Sequence, residues 1–194
     1  MTKEVTTEQD QTFYLTFLGP INDTSAPGLM QVCNKIVFEL NFPKLHILLS
    51  TPGGSVNFGI VLYHFLTALP VSLTTHNIGS VDSIGNVIFL AGKDRFAAPG
   101  STFLFHGVAS QLTGSFSYTQ LTEIVSQLKE DENRIEMLVT EKSAMEATQV
   151  RSLFSQGKSL SCEEALEKKI ATQIIRPNIP RNAQSAVLNF NSQQ

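Results

Sequence analysis

The sequence lacks the features that mark several large classes of protein. Its two cysteines, Cys33 and Cys162, are not spaced like zinc ligands, and no histidine completes such a set. It contains no run of 18 apolar residues to cross a membrane and no Walker-type glycine loop to bind a nucleotide. The formal net charge of -3 provides no basic field for nucleic acid or an anionic membrane. We therefore expect two free structural thiols and no metal, cofactor, nucleic-acid or membrane partner.

What remains is the composition of an ordinary globular protein. Hydrophobic residues make up 42% of the 194 residues, which suffices for one core without metals or disulfides. The first residues, MTKEVTTEQDQ, are polar and lack the apolar centre of a signal peptide. We expect a soluble cytoplasmic protein with a single domain over 1–194, in which 1–11 form a loose lead.

Short apolar runs alternate with amphipathic segments along the chain. Strands are predicted at 12–19, 45–50, 71–76, 95–98, 102–106 and 169–175. Helices are predicted after the potential caps Asp23, Thr24 and Ser25, over 56–68, and in the apolar stretch 83–92 that follows a turn at 79–83. Strands that alternate with helices in this way indicate βαβ units and a mainly parallel sheet, which is an α/β fold.

Three serines stand three residues before Glu or Gln, the pattern of a helix capping box. They are Ser117 before Gln120, Ser143 before Glu146 and Ser161 before Glu164. The first predicts a long helix to about residue 140, with an apolar stripe and a charged, solvated face. From residue 176 the chain is polar and has two prolines, so 176–194 is predicted to be a loose tail.

Two segments place glycine-containing turns at strand ends. Ser83 lies between such a turn and an apolar helix, where a nucleophilic serine would stand beside the free N–H groups of a helix N-terminus. The segment TPGGSV, 51–56, directly follows a buried strand, and its paired glycines let the backbone approach a ligand closely. Each has an ordinary structural explanation as well, because serine is a common N-cap and a glycine pair also makes a tight turn.

One histidine stands where a general base would be needed. His106 ends the predicted strand TFLFH and could take the proton of a serine nucleophile. A lone histidine at a strand end is more often a polar strand terminus. The remaining histidines are assigned to that structural class: His46, His64 and His76.

The three segments together form a more specific pattern than any one of them does alone. A strand with T-P-G-G-S-V, then G-x-x-x-S-x-G, then a histidine at a strand end, resembles the proteolytic subunit of the Clp protease family. Gly54 lies 29 residues before Ser83, and His106 lies 23 residues after it. The resemblance continues through LAGKDRFAAPGSTFLFH and SLSCEEALEKKIATQI and covers about residues 13–175. It implies an α/β fold of ClpP/crotonase type, with repeated ββα units and a protruding handle helix that starts at Ser117.

The resemblance also implies an activity, that of a serine-type endopeptidase. Ser83 would attack the scissile carbonyl, and His106 would take and return the proton. The backbone N–H groups of Gly54 and Ile84 would hold the oxyanion. An extended substrate strand would contact Gly53, Ser55 and Val56.

The family's partners are implied in the same way. Substrates would be peptides or unfolded proteins, and the subunits would form homo-oligomeric rings stacked through the handle helix. The lead of about a dozen residues is shorter than the family segment that helps contact the unfoldase ring. A Clp-type ATPase is therefore kept as a partner whose docking is in doubt.

The sequence departs from the family at its third catalytic residue, an aspartate. The corresponding position, four residues before Ser161, is Gly157, and its neighbours supply no carboxylate. Another group would have to orient the imidazole: Gln156, a water molecule, or a different acid such as Asp82 or Asp94. A serine–histidine pair without its aspartate still catalyses, although far more slowly.

Three other functions remain open on the sequence. A catalytically weak or inactive structural ring subunit that assembles with an active paralogue fits the glycine at 157. Crotonase relatives use the same backbone donors on coenzyme A thioesters, but they lack the serine–histidine pair. A serine–lysine dyad would need Lys129 or Lys142, which lie on or near a charged helix face and are poorly desolvated.

Overall fold

The computed structural model describes residues 12–191. The predicted loose lead over 1–11 therefore lies outside the described residues. Strands and helices alternate through most of the described part, as the hydrophobic pattern predicts. None of the described helices is long and apolar enough to cross a membrane.

The described strands form one sheet. They are β1 (Thr12–Leu18), β2 (Lys44–Thr51), β3 (Ser72–Asp82), β4 (Asp94–Ala97), β5 (Thr102–Leu104), β6 (Ser159–Ser161), β7 (Gln173–Ile174) and β8 (Ser185–Asn189). The main order is β6-β5-β3-β2-β1-β8, and β4 pairs with β3 and β7. The pairs are parallel except for β5 with β6. This confirms the α/β fold.

Six α-helices accompany the sheet in the described part. They are α1 (Ser25–Asn34), α2 (Val56–Ala68), α3 (Gly85–Phe89), α4 (Tyr118–Lys142), α5 (Ala147–Gln156) and α6 (Cys162–Glu167). A π-helical turn, Lys35–Glu39, continues α1. The predicted capping boxes at Ser117 and Ser161 are both formed. The first turns of α4 are exposed, as a protruding helix requires.

The branching of β3 sets the position of the site. Its first half pairs with β4 over Thr74–Asn77, and its second half pairs with β5 over Ser80–Asp82. The predicted turn at 79–83 is therefore wrong, because residues 79–82 continue the strand. The turn is confined to Ser83 and Ile84, and α3 is only five residues long rather than the predicted ten.

Two predicted helix starts differ from the structure. Ser143 donates its hydroxyl to Val139 O, so it closes α4 and leaves Glu146 to cap α5 in a box with Gln149. At α1 the side chain of Asn22, one residue before the predicted caps, accepts the N–H groups of Thr24 and Ser25. In both places a neighbouring side chain satisfies the free backbone groups instead.

The C-terminal predictions need two corrections. The last predicted strand, 169–175, is reduced to Gln173–Ile174, because Lys169 adopts a left-handed φ of 55° after α6. Residues 185–189 are not part of a loose tail but form β8, parallel to β1. Leu188 and Phe190 alternate toward the core, and Phe190 packs on Phe17. Burial of this apolar pair explains why the segment is ordered.

Candidate active site

The loop after β2 is held rigidly against its neighbours. Ile21 N donates to Gly53 O at 2.8 Å, and Ser55 N donates to Ile21 O at 2.9 Å. Gly54 has a φ of +144°, and a Cβ there would overlap Ile21 O. Only glycine fits this backbone path. The loop therefore has one fixed conformation in which its N–H groups keep a constant direction.

A second glycine brings the same loop up to the serine. A Cβ on Gly53 would lie 2.7 Å from the Ser83 Cβ and 2.6 Å from Asp82 O. Gly53 therefore packs behind the serine, and it is not among the residues that line the cavity described below. This packing makes Gly53 a spacer between the loop and the serine turn. The predicted contact of Gly53 with a substrate strand stays a prediction.

Ser83 occupies a strained turn at the end of β3. Its φ is +56°, a left-handed conformation that non-glycine residues adopt at a cost of about 1–3 kcal/mol. Ser83 N donates to Leu104 O at 2.8 Å, which fixes the turn to β5. The buried amide of Asn86 donates to both Ser83 O and Leu104 O, at 3.0 and 2.8 Å. Asn86 was not predicted from the sequence, where it is distinguished only as a polar residue within an apolar stretch.

Two backbone donors beside the serine are unoccupied. Within residues 12–191, neither the Gly54 N–H nor the Ile84 N–H donates to a protein acceptor. Ile84 is fully buried, and its side chain fills the space that a Cβ on Gly59 would need. The first of these donors is fixed by the glycine loop and the second by the strained turn. Both are therefore preorganised, which is what a site for a developing oxyanion requires.

His106 lies just beyond β5 and is exposed. Its Nδ1 is 2.8 Å from Gly107 O. A carbonyl oxygen only accepts, so Nδ1 carries the hydrogen and Nε2 keeps its lone pair. That tautomer leaves Nε2 available as a base. No hydrogen bond joins the Ser83 hydroxyl to the imidazole within the described residues, and catalytic hydrogen bonds are often long before substrate binds.

The position of the missing aspartate lies one residue from a backbone contact next to His106. Phe105 N donates to Lys158 O at 2.9 Å, just beyond the last β5–β6 pair, and His106 and Gly157 flank this hydrogen bond. Gly157 has a φ of +61° and closes α5, where its N–H donates to Leu153 O. A Cβ at this position would meet nothing within 4 Å. The glycine therefore provides the left-handed residue that ends α5, and the space that a side chain at this position would occupy is open.

The other candidate orienting groups differ in where they lie. Asp94 pairs with Thr74, eight residues before Asp82 on β3, so it is about 26 Å from the serine turn. Gln156 donates its amide to Ser152 Oγ at 2.7 Å, along its own helix. Asp82 is near the imidazole. Burial raises the pKa of its carboxyl, and this is opposed by hydrogen bonds from Leu104 and Ser80 and by the charge of His106.

A cavity of about 340 Å³ joins these elements. It is lined by Ser83 and His106, by the loop after His106, and by one face of α4. The predicted residues Gly54, Ser55 and Val56 also line it. Its α4 wall is formed by Ile124, Gln127, Leu128 and Asp131. The cavity therefore has the position of a pocket for a substrate side chain next to the serine.

One wall of this cavity is polar and was not predicted. Asp131 is buried and pairs with Arg134 at 3.0 Å, and the same guanidinium nitrogen donates to Asn57 Oδ1 at 3.0 Å. These residues come from α4 and α2, which only tertiary packing brings together. In the sequence, Asp131 and Arg134 belong to the run KEDENR, which predicts the charged, solvated face of a long helix.

Comparisons with known proteins agree along most of the chain. The Clp protease family model matches residues 3–178. The ATP-dependent Clp protease proteolytic subunits of Streptococcus pneumoniae strains 70585 and TIGR4 are each 23% identical over 172 residues, covering 88% of this chain and 87% of the relative. A solved ClpP1 mutant from Listeria monocytogenes, with asparagine replaced by aspartate, superposes with a TM-score of 0.74 at 21% identity. It covers 87% of this chain and 94% of that chain, and at this identity it shows the fold alone.

Proposed function

We propose, because this chain belongs to the Clp protease family, that it is a serine-type endopeptidase with Ser83 as nucleophile and His106 as general base. The observation that carries the proposal is the strained serine turn with a φ of +56°, held between the glycine loop and β5. Strain of this kind persists only where the surrounding structure enforces it, and it is concentrated at functional sites. Here it presents the serine to the same cavity as the imidazole.

The geometry supports the following steps. A peptide strand lies along Ser55 and Val56, with one side chain in the cavity. The Ser83 hydroxyl attacks the carbonyl carbon while its proton passes to His106 Nε2, and the N–H groups of Gly54 and Ile84 receive the oxyanion. The imidazolium then gives that proton to the leaving amine. Water, activated by the same nitrogen, hydrolyses the acyl-enzyme and restores the free serine.

The finer properties belong to the same proposal. The substrates are peptides or unfolded proteins, and the working form is a homo-oligomer of stacked rings, since Clp proteolytic subunits assemble in this way. Exposed apolar side chains near the start of α4 support a docking role for that helix, and they are Tyr118, Leu121 and Val125. A cytoplasmic location and the weak case for a Clp-type ATPase partner stay predictions.

A second function is favoured by two specific observations. Gly157 supplies no carboxylate near His106, and the described residues show no hydrogen bond between Ser83 and His106. Both are expected of a structural ring subunit that has lost activity and assembles with an active paralogue. The turn that holds Ser83 beside the backbone donors of Gly54 and Ile84 argues against a purely structural subunit, because assembly does not need this arrangement.

A covalent probe distinguishes the two functions. We expect a fluorophosphonate to label the purified, assembled protein at Ser83, because the probe needs an activated hydroxyl and an oxyanion site. Intact and peptide mass spectrometry locate the adduct, and Ser83→Ala is the control. Absence of labelling in a folded, assembled protein, including after mixing with an active paralogue, would favour the structural subunit.

A further inference from the structure

We infer that Glu132 on α4 takes the part of the missing aspartate by acting on His106 through one intervening peptide group. The inference rests on the proposed function, because it concerns how the general base is held. Glu132 is a positioning residue in this scheme and does not touch the substrate. Sequence reasoning placed it on the solvated face of a long helix, whereas the structure places it half-buried beneath the loop that follows His106.

The connection is made by the peptide between residues 107 and 108. Its N–H, on Val108, donates to Glu132 Oε1 at 3.0 Å. Its carbonyl, on Gly107, accepts the Nδ1–H of His106 at 2.8 Å. One planar amide therefore has a carboxylate at one end and the imidazole at the other. The order of groups is carboxylate, amide N–H, amide C=O, imidazole Nδ1–H.

The surrounding packing fits this arrangement closely. A Cβ on Gly107 would lie 2.9 Å from Glu132 Oε1, so a side chain there would displace the carboxylate. Gly107 N donates to Phe154 O at 3.1 Å, which anchors the loop to α5 on its other side. The Gly107 N–H belongs to the preceding peptide, so this bond fixes the loop on the side of α5. The Val108 N–H belongs to the same peptide as the Gly107 carbonyl, so the carbonyl cannot turn away from His106 without breaking the bond to Glu132.

The physical effect follows from hydrogen-bond cooperativity. A carboxylate that accepts from an amide N–H polarises the amide and moves electron density onto its oxygen. In a chain of this kind each bond is strengthened by about 10–30%, and bonds to an ionised partner are the stronger ones. The Gly107 carbonyl then becomes a better acceptor for Nδ1–H. This holds the tautomer with Nε2 free, which is the task of the triad carboxylate.

The nearby acidic groups do not provide this contact. No described hydrogen bond joins the Asp82 carboxyl to the His106 ring or to the peptide that binds it. Asp131, one residue before Glu132, is turned to the substrate cavity and paired with Arg134. Among the described carboxylates, Glu132 is the one bonded to the peptide that binds Nδ1.

The test replaces Glu132 with its neutral isostere and reads the imidazole directly. Glu132→Gln keeps the shape and an oxygen acceptor but removes the charge, and Glu136→Gln makes the same change one turn further along α4. At about pH 9, where an ordinary imidazole is neutral, ¹⁵N NMR of histidine-labelled protein gives the share of the Nδ1–H tautomer. We expect Glu132→Gln to lower that share at His106 and Glu136→Gln to leave it unchanged. An unchanged tautomer in Glu132→Gln overturns the inference.

Kinetics and a rescue variant complete the test. We expect Glu132→Gln to lower kcat roughly tenfold with KM unchanged, the size of one charge-assisted hydrogen bond. Adding Gly157→Asp supplies a direct carboxylate, so its gain should be larger in the Glu132→Gln background than in the unmodified chain. Equal gains in the two backgrounds would also overturn the inference. If the unmodified chain shows neither labelling nor turnover, the proposed function fails, and the tautomer measurement still decides the role of Glu132.

Discussion

Strands β2 and β3 carry two histidines in their interiors, and the candidate active site with a third histidine lies at their carboxyl ends. The interior rings and the active-site ring differ in burial and in hydrogen bonding. His46 Nε2 lies 3.2 Å from His76 Nδ1, and His76 Nε2 lies 3.1 Å from Ile175 O. Burial lowers the pKa of both, that of His46 to about 4. His106 is exposed and uses only Nδ1. His76 has both ring nitrogens bonded and His46 is desolvated by burial, whereas the exposed ring of His106 keeps Nε2 free to exchange protons with substrate.

The largest expected effect comes from replacing one histidine of each region with alanine, His106 in the candidate active site and His76 in the sheet interior. We expect His106→Ala to lower peptidase activity by about 10³-fold or more, because the proton of Ser83 then has no acceptor. The folded, assembled state should survive, since the side chain is exposed and makes one local hydrogen bond. Size-exclusion chromatography and turnover of a fluorogenic peptide measure the two properties.

The matched variant reverses this pattern. His76→Ala removes a buried ring that joins β2 to the segment after β7, so we expect loss of stability with activity retained in the folded fraction. An unchanged rate in His106→Ala would remove the general-base assignment. Loss of activity in folded His76→Ala would show that the two regions are coupled.

The next effect is a dependence of stability on pH to which the buried histidines contribute. The folded-state pKa of His46, about 4, lies below the unfolded value near 6.5, so the unfolded chain binds more protons between these values. Stability should be complete above about pH 6.5 and should decline by up to about 3 kcal/mol as pH falls toward 4. Denaturant midpoints followed by circular dichroism between pH 7 and 4.5 measure this.

The control for this prediction keeps the hydrogen bond but not the titration. The amide of His46→Gln can donate to His76 Nδ1 and does not change its charge, so its stability should vary less with pH than that of the parent chain. Groups distant from His46 contribute equally to both curves, so the difference between them reports His46 together with its partner His76. Parallel curves would show that His46 does not titrate differently in the folded and unfolded chains.

The same comparison shows which features the sequence could predict. The hydrophobic periodicity predicted the strands and helices that form the core. The order and spacing of three motifs predicted that Gly54, Ser83 and His106 belong to one site, and in the structure all three line one cavity. The extension of β3 through residues 79–82 was missed, because Gly79 and Asp82 favour a turn locally. Pairing with β5, distant in the chain, overrides that preference.

The α4 contribution to the site could not be predicted, for a different reason. Asp131 and Glu132 belong to a run of charged residues, and helical periodicity places them on a solvated face. Only the packing of α4 against the loop after His106 gives them partners. β8 was missed because polar neighbours and two prolines hide the alternation of Leu188 and Phe190. In each case a contact with a distant part of the chain decides the outcome.

The smallest expected effect restores the aspartate near His106. Gly157 has open space around its missing Cβ, and it adjoins Lys158, whose carbonyl binds the Phe105 N–H next to His106. We expect Gly157→Asp to raise kcat severalfold, because an ionised acceptor holds Nδ1–H more firmly than a carbonyl does. The left-handed φ of +61° should cost about 1 kcal/mol in stability, since aspartate tolerates this region better than most residues.

Gly157→Asn has the same backbone cost without the charge, so comparing the two variants separates the effect of the carboxylate from that of the strain. Equal rates in the aspartate and asparagine variants would mean that His106 is already fully oriented. In that event the carboxylate would add nothing to the hydrogen bond that the Gly107 carbonyl makes.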